Sequence, residues 1–355
     1  MYMRVLIRCD GYGAIGLGHV VRCLVLARAL RRAGAEVLFA LRESQPGVLL
    51  VEQDSFAYQN AARLSDAQGG ASWLLRLAQE RQAEVVILDV RDDLPSACLE
   101  ELKKRSVLIV TLDDPSERRL LADLAFYPPV PQVRTMDWRS FQGELHTGWE
   151  WVLLQERFRN LPPRRERHNE IPRLLLTFGG SDPAGLTLFA LDLLEEIACP
   201  FEPWLVLGKA FCHSEALAKK LARSRRDYRI LQDVQDMAAV MAEADLALAA
   251  GGGTGYELAA VGVPAMHIAL TEDHFLACRE LEKAGMAICL GLWPEIQKQI
   301  EPVQETIQTW LVDAQKRAAA RQRGRTLLDG YGAERMAQAI QTYFQQRRPE
   351  INEPS

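Results

Sequence analysis

Short apolar runs of strand character alternate with segments of helical period, and this chain does so in two separate series. The first places strands at 4–9, 36–41, 84–88 and 106–111, with helices at 19–33, about 72–81 and 95–104. Alternation of this kind builds βαβ units and therefore a parallel sheet. Residues 124 to 170 break the rhythm, with prolines at 128, 129, 131, 162 and 163 and the charged run Pro163-Arg164-Arg165-Glu166-Arg167, and the stretch reads as a linker. The second series predicts strands at 173–178, 203–207, 228–231, 245–249, 264–269 and 286–290, with helices at about 184–197, 214–224, 236–242, 255–261 and 273–284. From Glu301 the pattern is helical to about Gln346. The fold class is therefore α/β: a Rossmann-like domain over 1–160, a second over 170–325, and a segment 326–355 whose helix packs back on the first domain before a tail. Two such halves leave a cleft, and in open α/β sheets ligands sit beyond the carboxyl ends of the strands.

A chain of 355 residues accommodates two domains of ordinary size. Its formal net charge of -5 argues against nucleic acid as the main partner, since phosphate-backbone binders are basic. Seven scattered cysteines without a C-x-x-C pair indicate neither a disulfide framework nor a zinc ribbon, and a reducing cytoplasm fits them. The N-terminus runs directly into a strand, so no secretory signal is expected. The most apolar later stretch, Ala244 to Leu270, is interrupted by five glycines, a proline and Glu257, which predicts strand, loop and helix rather than a membrane span. Nothing in the composition defines an oligomeric state.

Gly16-Leu17-Gly18-His19-Val20-Val21-Arg22 places a histidine where a glycine-rich loop becomes a helix. Free backbone N–H groups and the positive helix end at such a junction suit phosphate or developing negative charge. The dipole disfavours the imidazolium, so His19 is the candidate general base. Gly11-x-Gly13-x-x-Gly16 is a literal dinucleotide fingerprint, yet the loop is longer than its tight turn and no ribose-binding acid ends the second strand. Gly179-Gly180-Ser181-Asp182-Pro183 follows another strand; Ser181 or Asp182 can cap the next helix, with Pro183 at its first position, while Gly180 and Ser181 are candidate phosphate or sugar contacts. In Gly251-Gly252-Gly253-Thr254-Gly255-Tyr256-Glu257 the N–H groups of Gly252, Gly253 and Thr254 make a cradle for a diphosphate, and Glu257, a turn into the helix, can take both ribose hydroxyls. It is not a Walker A loop, because no Lys-Ser or Lys-Thr follows. Thr271-Glu272-Asp273-His274 opens a further helix; with His267 nearby it admits a metal reading, but the two histidines flank a turn rather than share a helix face, which favours a cap that lines the cleft. No metal and no cofactor is expected.

Taken in order, these residues resemble a known family, the UDP-sugar hydrolases of pseudaminic-acid biosynthesis with their spore-coat polysaccharide relatives, which are similar to the glycosyltransferase that adds N-acetylglucosamine to lipid I. The likeness rests on Arg8-Cys9-Asp10 with Gly16-x-Gly18-His19-x-x-Arg22, on Gly179-Gly180-Ser181-Asp182-Pro183, on Gly252 to Glu257 with Gly262-Val263-Pro264, on Leu281-Glu282-Lys283-Ala284-Gly285, and on Leu328-Asp329-Gly330-Tyr331-Gly332-Ala333-Glu334-Arg335. It implies a GT-B fold, a UDP-sugar substrate, inversion at the anomeric carbon without a required metal, His19 as base, and Asp10, Gly16, Gly18, Arg22, Asp273 and His274 among the binding residues. Two positions depart from the family pattern: Asp89-Val90-Arg91 stands where the hydrolases carry Asp-His-Tyr, and Asp273-His274 where they carry Asn-Gln. The expected activity is hydrolysis of a UDP-linked amino-deoxy sugar in nonulosonic-acid or surface polysaccharide biosynthesis. The alternatives are a GT-B glycosyltransferase with the same donor and a non-catalytic nucleotide-sugar-binding protein.

Overall fold

A computed structural model of the chain describes residues 3–11, 17–42, 45–61, 67–161 and 170–347. The charged run at 163–167, most of the 11–16 fingerprint and the terminal tail lie outside the described residues. The chain divides into two compact units, Met1–Gln155 with Gly330–Ser355, and Glu156–Asp329.

The first unit runs β1 Met3–Cys9, α1 Gly18–Arg32, β2 Ala35–Arg42, α2 Gln45–Gln53, β3 Ala57–Ala61, α3 Ala67–Glu80, β4 Val85–Asp89, α4 Ser96–Lys104, β5 Leu108–Leu112, β6 Leu124–Tyr127, α5 Gln132–Thr135 and β7 Glu144–Thr147. Its sheet has the order β3-β2-β1-β4-β5-β6-β7, and every pairing is parallel. Period-two alternation sends Val5 and Ile7 to a core with Leu26 and Leu30 of α1, and Leu6 to the opposite core with Leu74, Leu77, Leu99 and Leu102. The expected linker over 124–170 is corrected by β6 and β7, which extend this sheet; the prolines at 128, 129 and 131 occupy the connection between them.

The second unit runs β8 Arg173–Thr177, α6 Leu186–Glu195, β9 Glu202–Leu207, α7 Ser214–Leu221, β10 Arg229–Gln232, α8 Met237–Glu243, β11 Leu246–Ala250, α9 Gly253–Val261, β12 Ala265–Ala269, α10 Glu272–Lys283, β13 Ala287–Leu292, α11 Ile300–Val312 and α12 Ala314–Leu327. Its sheet order is β10-β9-β8-β11-β12-β13, again all parallel. Three arginines of α12 cap carbonyls at the ends of neighbouring helices: Arg321 Nε donates to Gly262, Arg323 Nε to Ala284, and Arg317 Nη1 to Trp310 and Leu311. The cations thereby meet the negative ends of three helix dipoles. A last helix, α13 Gly332–Arg347, belongs to the first unit and buries Met336, Ile340 and Phe344 in the core under α1.

Asp182 shows how a loop is set. It sits at φ 47, and its carboxylate accepts from the amides of Leu186 (2.9 Å) and Thr187 (2.8 Å). The helix therefore starts at Leu186, behind a left-handed Gly185, rather than at Pro183. Asp182→Ala is expected to cost about 2 kcal/mol, since two buried amides of the first helical turn lose their acceptor, and Asp182→Asn less, since Asn keeps an acceptor and tolerates the left-handed region. Urea denaturation of the two variants checks this, and equal stability of Asp182→Ala and the wild type would contradict it.

Candidate functional site

In each sheet the strand order reverses direction beside the first strand of the unit, between β1 and β4 in one and between β8 and β11 in the other. Such switch points are where ligands of doubly wound sheets bind.

At the first of them Asp89, the last residue of β4, stands level with Cys9, the last of β1. Helix α1 brings His19 and Arg22 to it from one turn. Asp89 Oδ1 accepts from His19 Nδ1 at 2.7 Å, Oδ2 accepts from Arg22 Nε at 2.5 Å, and Arg22 Nη2 reaches Oδ1 as well. The Asp89 side chain is fully buried while His19 keeps 15% exposure. Burial alone would push the Asp89 carboxyl up, but the Arg22 guanidinium reverses this and holds it well below the usual carboxylate range. Asp89 is thus an anion, and Nδ1, which also lies 3.1 Å from Arg22 Nη2, is the ring nitrogen turned to it; the tautomer that donates to Asp89 presents a lone pair on Nε2. That nitrogen has no hydrogen-bond partner among the described residues. Arg22 also lies 3.4 Å from Asp113 Oδ2, which Arg91 Nη2 meets at 2.7 Å. An anion buried on one nitrogen and a lone pair on the other is the arrangement of an oriented general base.

The other expected residues of this unit fall differently. Asp10 is buried, both oxygens are bridged by Arg8 Nη1 and Nη2 at 2.6 and 2.7 Å, and Oδ1 also accepts from the Arg42 amide. Arg8, itself fully buried, continues to Asp92, which Arg42 and Arg118 share. This is a pinned ion network, and both Asp10 oxygens are engaged within it. Arg22 likewise spends its guanidinium on Asp89. Gly18 is the exposed first residue of α1, and Gly16 lies outside the described residues. Asp89 is the residue of this candidate site to which the sequence reading gave no role. Its signal was a carboxylate ending a run of apolar residues, a position where burial demands a partner.

The second unit holds a cavity of about 260 Å³ at the carboxyl ends of β8, β9 and β10. Gly180, Thr254 and Glu257 line it, with Val234, Met237 and Met241 supplying an apolar wall. Helix α9 starts earlier than its sequence pattern suggested, at Gly253, so Thr254 and Gly255 belong to its first turn. Gly252 precedes it at φ 131, a conformation only glycine adopts readily, and its α-carbon faces the His274 ring, 3.7 Å from where a Cβ would stand. Burial pushes the Glu257 carboxyl up to about 7, and the charge of Arg157 offsets part of this. Glu257 has no hydrogen-bond donor among the described residues. It is a carboxylate waiting for donors.

Ser181 and Gly253 adjoin this cavity without lining it. Thr271 caps α10 through the His274 amide, as expected, and Asp273 is exposed in its first turn. The His274 ring packs on the glycine loop with Nδ1 buried, and burial lowers its basicity. His267 is fully buried on β12 against Gly255, with burial pushing it down to about 4. Among the described residues no group of three or more His, Cys, Asp or Glu could hold a metal ion.

Comparison with known proteins follows the same lines. No family model matches the chain. It is 23% identical over 349 residues to the spore coat polysaccharide biosynthesis protein SpsG of Bacillus subtilis, covering 97% of this chain and 99% of that one. It is 30% identical over 314 residues to the UDP-N-acetylglucosamine--N-acetylmuramyl-(pentapeptide) pyrophosphoryl-undecaprenol N-acetylglucosamine transferase of Acidithiobacillus ferrooxidans, covering 80% of this chain and 82% of that enzyme. The chain belongs to this glycosyltransferase-like family. The crystal structure of MurG from Acinetobacter baumannii superimposes with a TM-score of 0.74 at 14% identity, over 96% of this chain and 99% of that one, and the fold is GT-B. The hydrolase subfamily expected from the motifs gains no support from these relatives; they fit the glycosyltransferase alternative better. Among the described residues no helix is long and apolar enough to cross a membrane.

Proposed function

We propose that the chain is a glycosyltransferase-like enzyme that uses a UDP-linked amino sugar as donor and passes the sugar, with inversion, to a hydroxyl acceptor in cytoplasmic steps of surface polysaccharide assembly. The observation that carries this reading is the 2.7 Å pair of His19 Nδ1 with Asp89 at a switch point, which leaves Nε2 without a partner among the described residues. In the proposed reaction Nε2 takes the acceptor hydroxyl proton as the oxygen attacks the anomeric carbon. The bond from that carbon to the diphosphate oxygen breaks, and UDP leaves with the electron pair. The N–H groups of Gly252, Gly253 and Thr254 receive the charge on the leaving diphosphate, and Glu257 accepts from the ribose hydroxyls. A positioned base contributes roughly 10² to 10⁴ in rate, with the remainder from positioning and leaving-group stabilisation.

UDP release from UDP-N-acetylglucosamine, measured with water alone and with N-acetylmuramyl-pyrophosphoryl-undecaprenol or simpler hydroxyl acceptors, tests the reading. Release that depends on acceptor supports transfer; full rate in water returns the hydrolase. Thermal shifts with UDP, NAD and ATP test the ligand class by mass action, and NAD outperforming UDP would overturn it.

Glu257 links binding to pH. Its carboxyl titrates near 7 when folded and near the ordinary 4.5 when unfolded. Below about 4.5 both states hold the proton and no cost arises; as pH rises towards 7 the unfolded state alone loses it, so stability conferred at low pH is lost. Glu257→Gln is therefore expected to gain on the wild type by about 2 kcal/mol between pH 5 and 8, while weakening UDP roughly tenfold or more through loss of a charge-assisted acceptor. UDP affinity of the wild type should rise with pH through about 7, because the ribose hydroxyls donate to the ionised form. Thermal unfolding and calorimetry across pH check both; a variant with unchanged UDP affinity would remove Glu257 from the nucleotide contacts.

A further inference from the structure

Among the described residues three charged ones line the cavity of the second unit, Asp233, Glu257 and Lys209, and Lys209 is the cation of the three. Two carboxylates alone make a poor receptor for a nucleoside diphosphate, whose own charge is negative at neutral pH. Arg157, the cation whose charge acts on Glu257, lies outside the lining and donates to the Gln235 carbonyl. Lys209 is exposed and enters no ion pair among the described residues.

Its backbone, by contrast, is pinned. Gly208 approaches Gly180 so closely that a Cβ on Gly208 would stand 2.4 Å from the Gly180 α-carbon, which excludes any larger residue there. The Ala210 amide donates to the Gly180 carbonyl at 3.2 Å, and the Phe211 amide closes the turn on Gly208 at 3.1 Å. A fixed turn thus carries an unpaired ammonium on a flexible stem at the mouth that Gly180 and Thr254 share.

We infer that Lys209 is the side-chain cation for the diphosphate of the nucleotide, a contact made with phosphate and not with the nucleoside. The inference rests on the nucleotide reading of this cavity given above. Glu257 and Lys209 then divide the ligand: the carboxylate takes the ribose, the ammonium the phosphates. Because Lys209 is exposed, its contact is screened by salt.

Calorimetry of wild type, Lys209→Met and Lys209→Arg with uridine, UMP and UDP tests this. Lys209→Met is expected to weaken UDP about tenfold, leave uridine within twofold, and flatten the dependence of UDP affinity on salt; Lys209→Arg should keep most of the UDP affinity. Equal weakening of uridine and UDP, or UDP affinity that survives Lys209→Met, would overturn the assignment while leaving the nucleotide site intact. Wild-type protein that binds neither UDP nor uridine would overturn the nucleotide reading itself and the assignment with it. Circular dichroism of the variants guards against misfolding at this exposed position.

Discussion

His19→Asn is expected to lower turnover at saturating donor by about 10² or more while leaving UDP affinity within a few-fold, because the lost interaction is made in the transition state. Asn is close to the imidazole in reach and can still hydrogen-bond Asp89, so the fold should survive the change. If His19 only bound phosphate, the pattern would reverse, with UDP affinity lost and turnover at saturation kept. A variant with near wild-type turnover would remove His19 from the chemistry.

Asp89→Asn is expected to have a comparable or larger effect, roughly 10³ in turnover, without any atom of the base being touched. The substituted amide can donate to His19 Nδ1, which stabilises the tautomer with its proton on Nε2 and abolishes the acceptor. It also leaves Arg22, now bound by Nε and Nη2 to a buried carboxylate, beside a neutral group. Breaking such a pair by removing one partner costs about 3 kcal/mol or more when burial is complete; Arg22 keeps 26% exposure, so about 2 kcal/mol is expected here. Steady-state kinetics and denaturation measured together separate the two consequences. Asp89→Glu supplies the second arm: it restores charge at the wrong reach, so stability should recover more than turnover. Wild-type turnover in Asp89→Asn would show that His19 is oriented by something else.

Much of the architecture is legible in the residues because buried parallel strands are nearly continuous apolar runs. Val85–Asp89 and Leu108–Leu112 are buried at every position, and so is nearly all of Leu246–Ala250. Of the strands that escape, β6 is buried at all four positions but is short and runs straight into Pro128-Pro129, while β3 and β7 have little to bury. β3 exposes four of its five residues and β7 three of its four, so neither shows the apolar signal that marks a central strand. Edge strands look like loops in sequence, and β7 follows a stretch punctuated by proline.

The candidate site divides along the same line. By itself the sequence determined the local chemistry: a histidine one residue into a helix that leaves a glycine-rich loop, a second glycine loop with Glu257 a turn beyond it, and the helix cap at Thr271. Each depends on residues a few positions apart, and periodicity, capping and turn chemistry act at that range. What only the tertiary structure decided is which charge meets which. Asp10 lies as near to His19 in sequence as any carboxylate, yet Arg8 claims it; Asp89, 70 residues away, is the partner, because parallel pairing of β1 with β4 sets the ends of those two strands side by side. Spacing along the chain carries no information about that register. Lys209 was equally silent in sequence, and it acquires a neighbourhood only when the turn after β9 closes against Gly180. Burial then finishes the assignment, since a carboxylate removed from water must be paired, as Asp89 is, or rise towards neutrality, as Glu257 does.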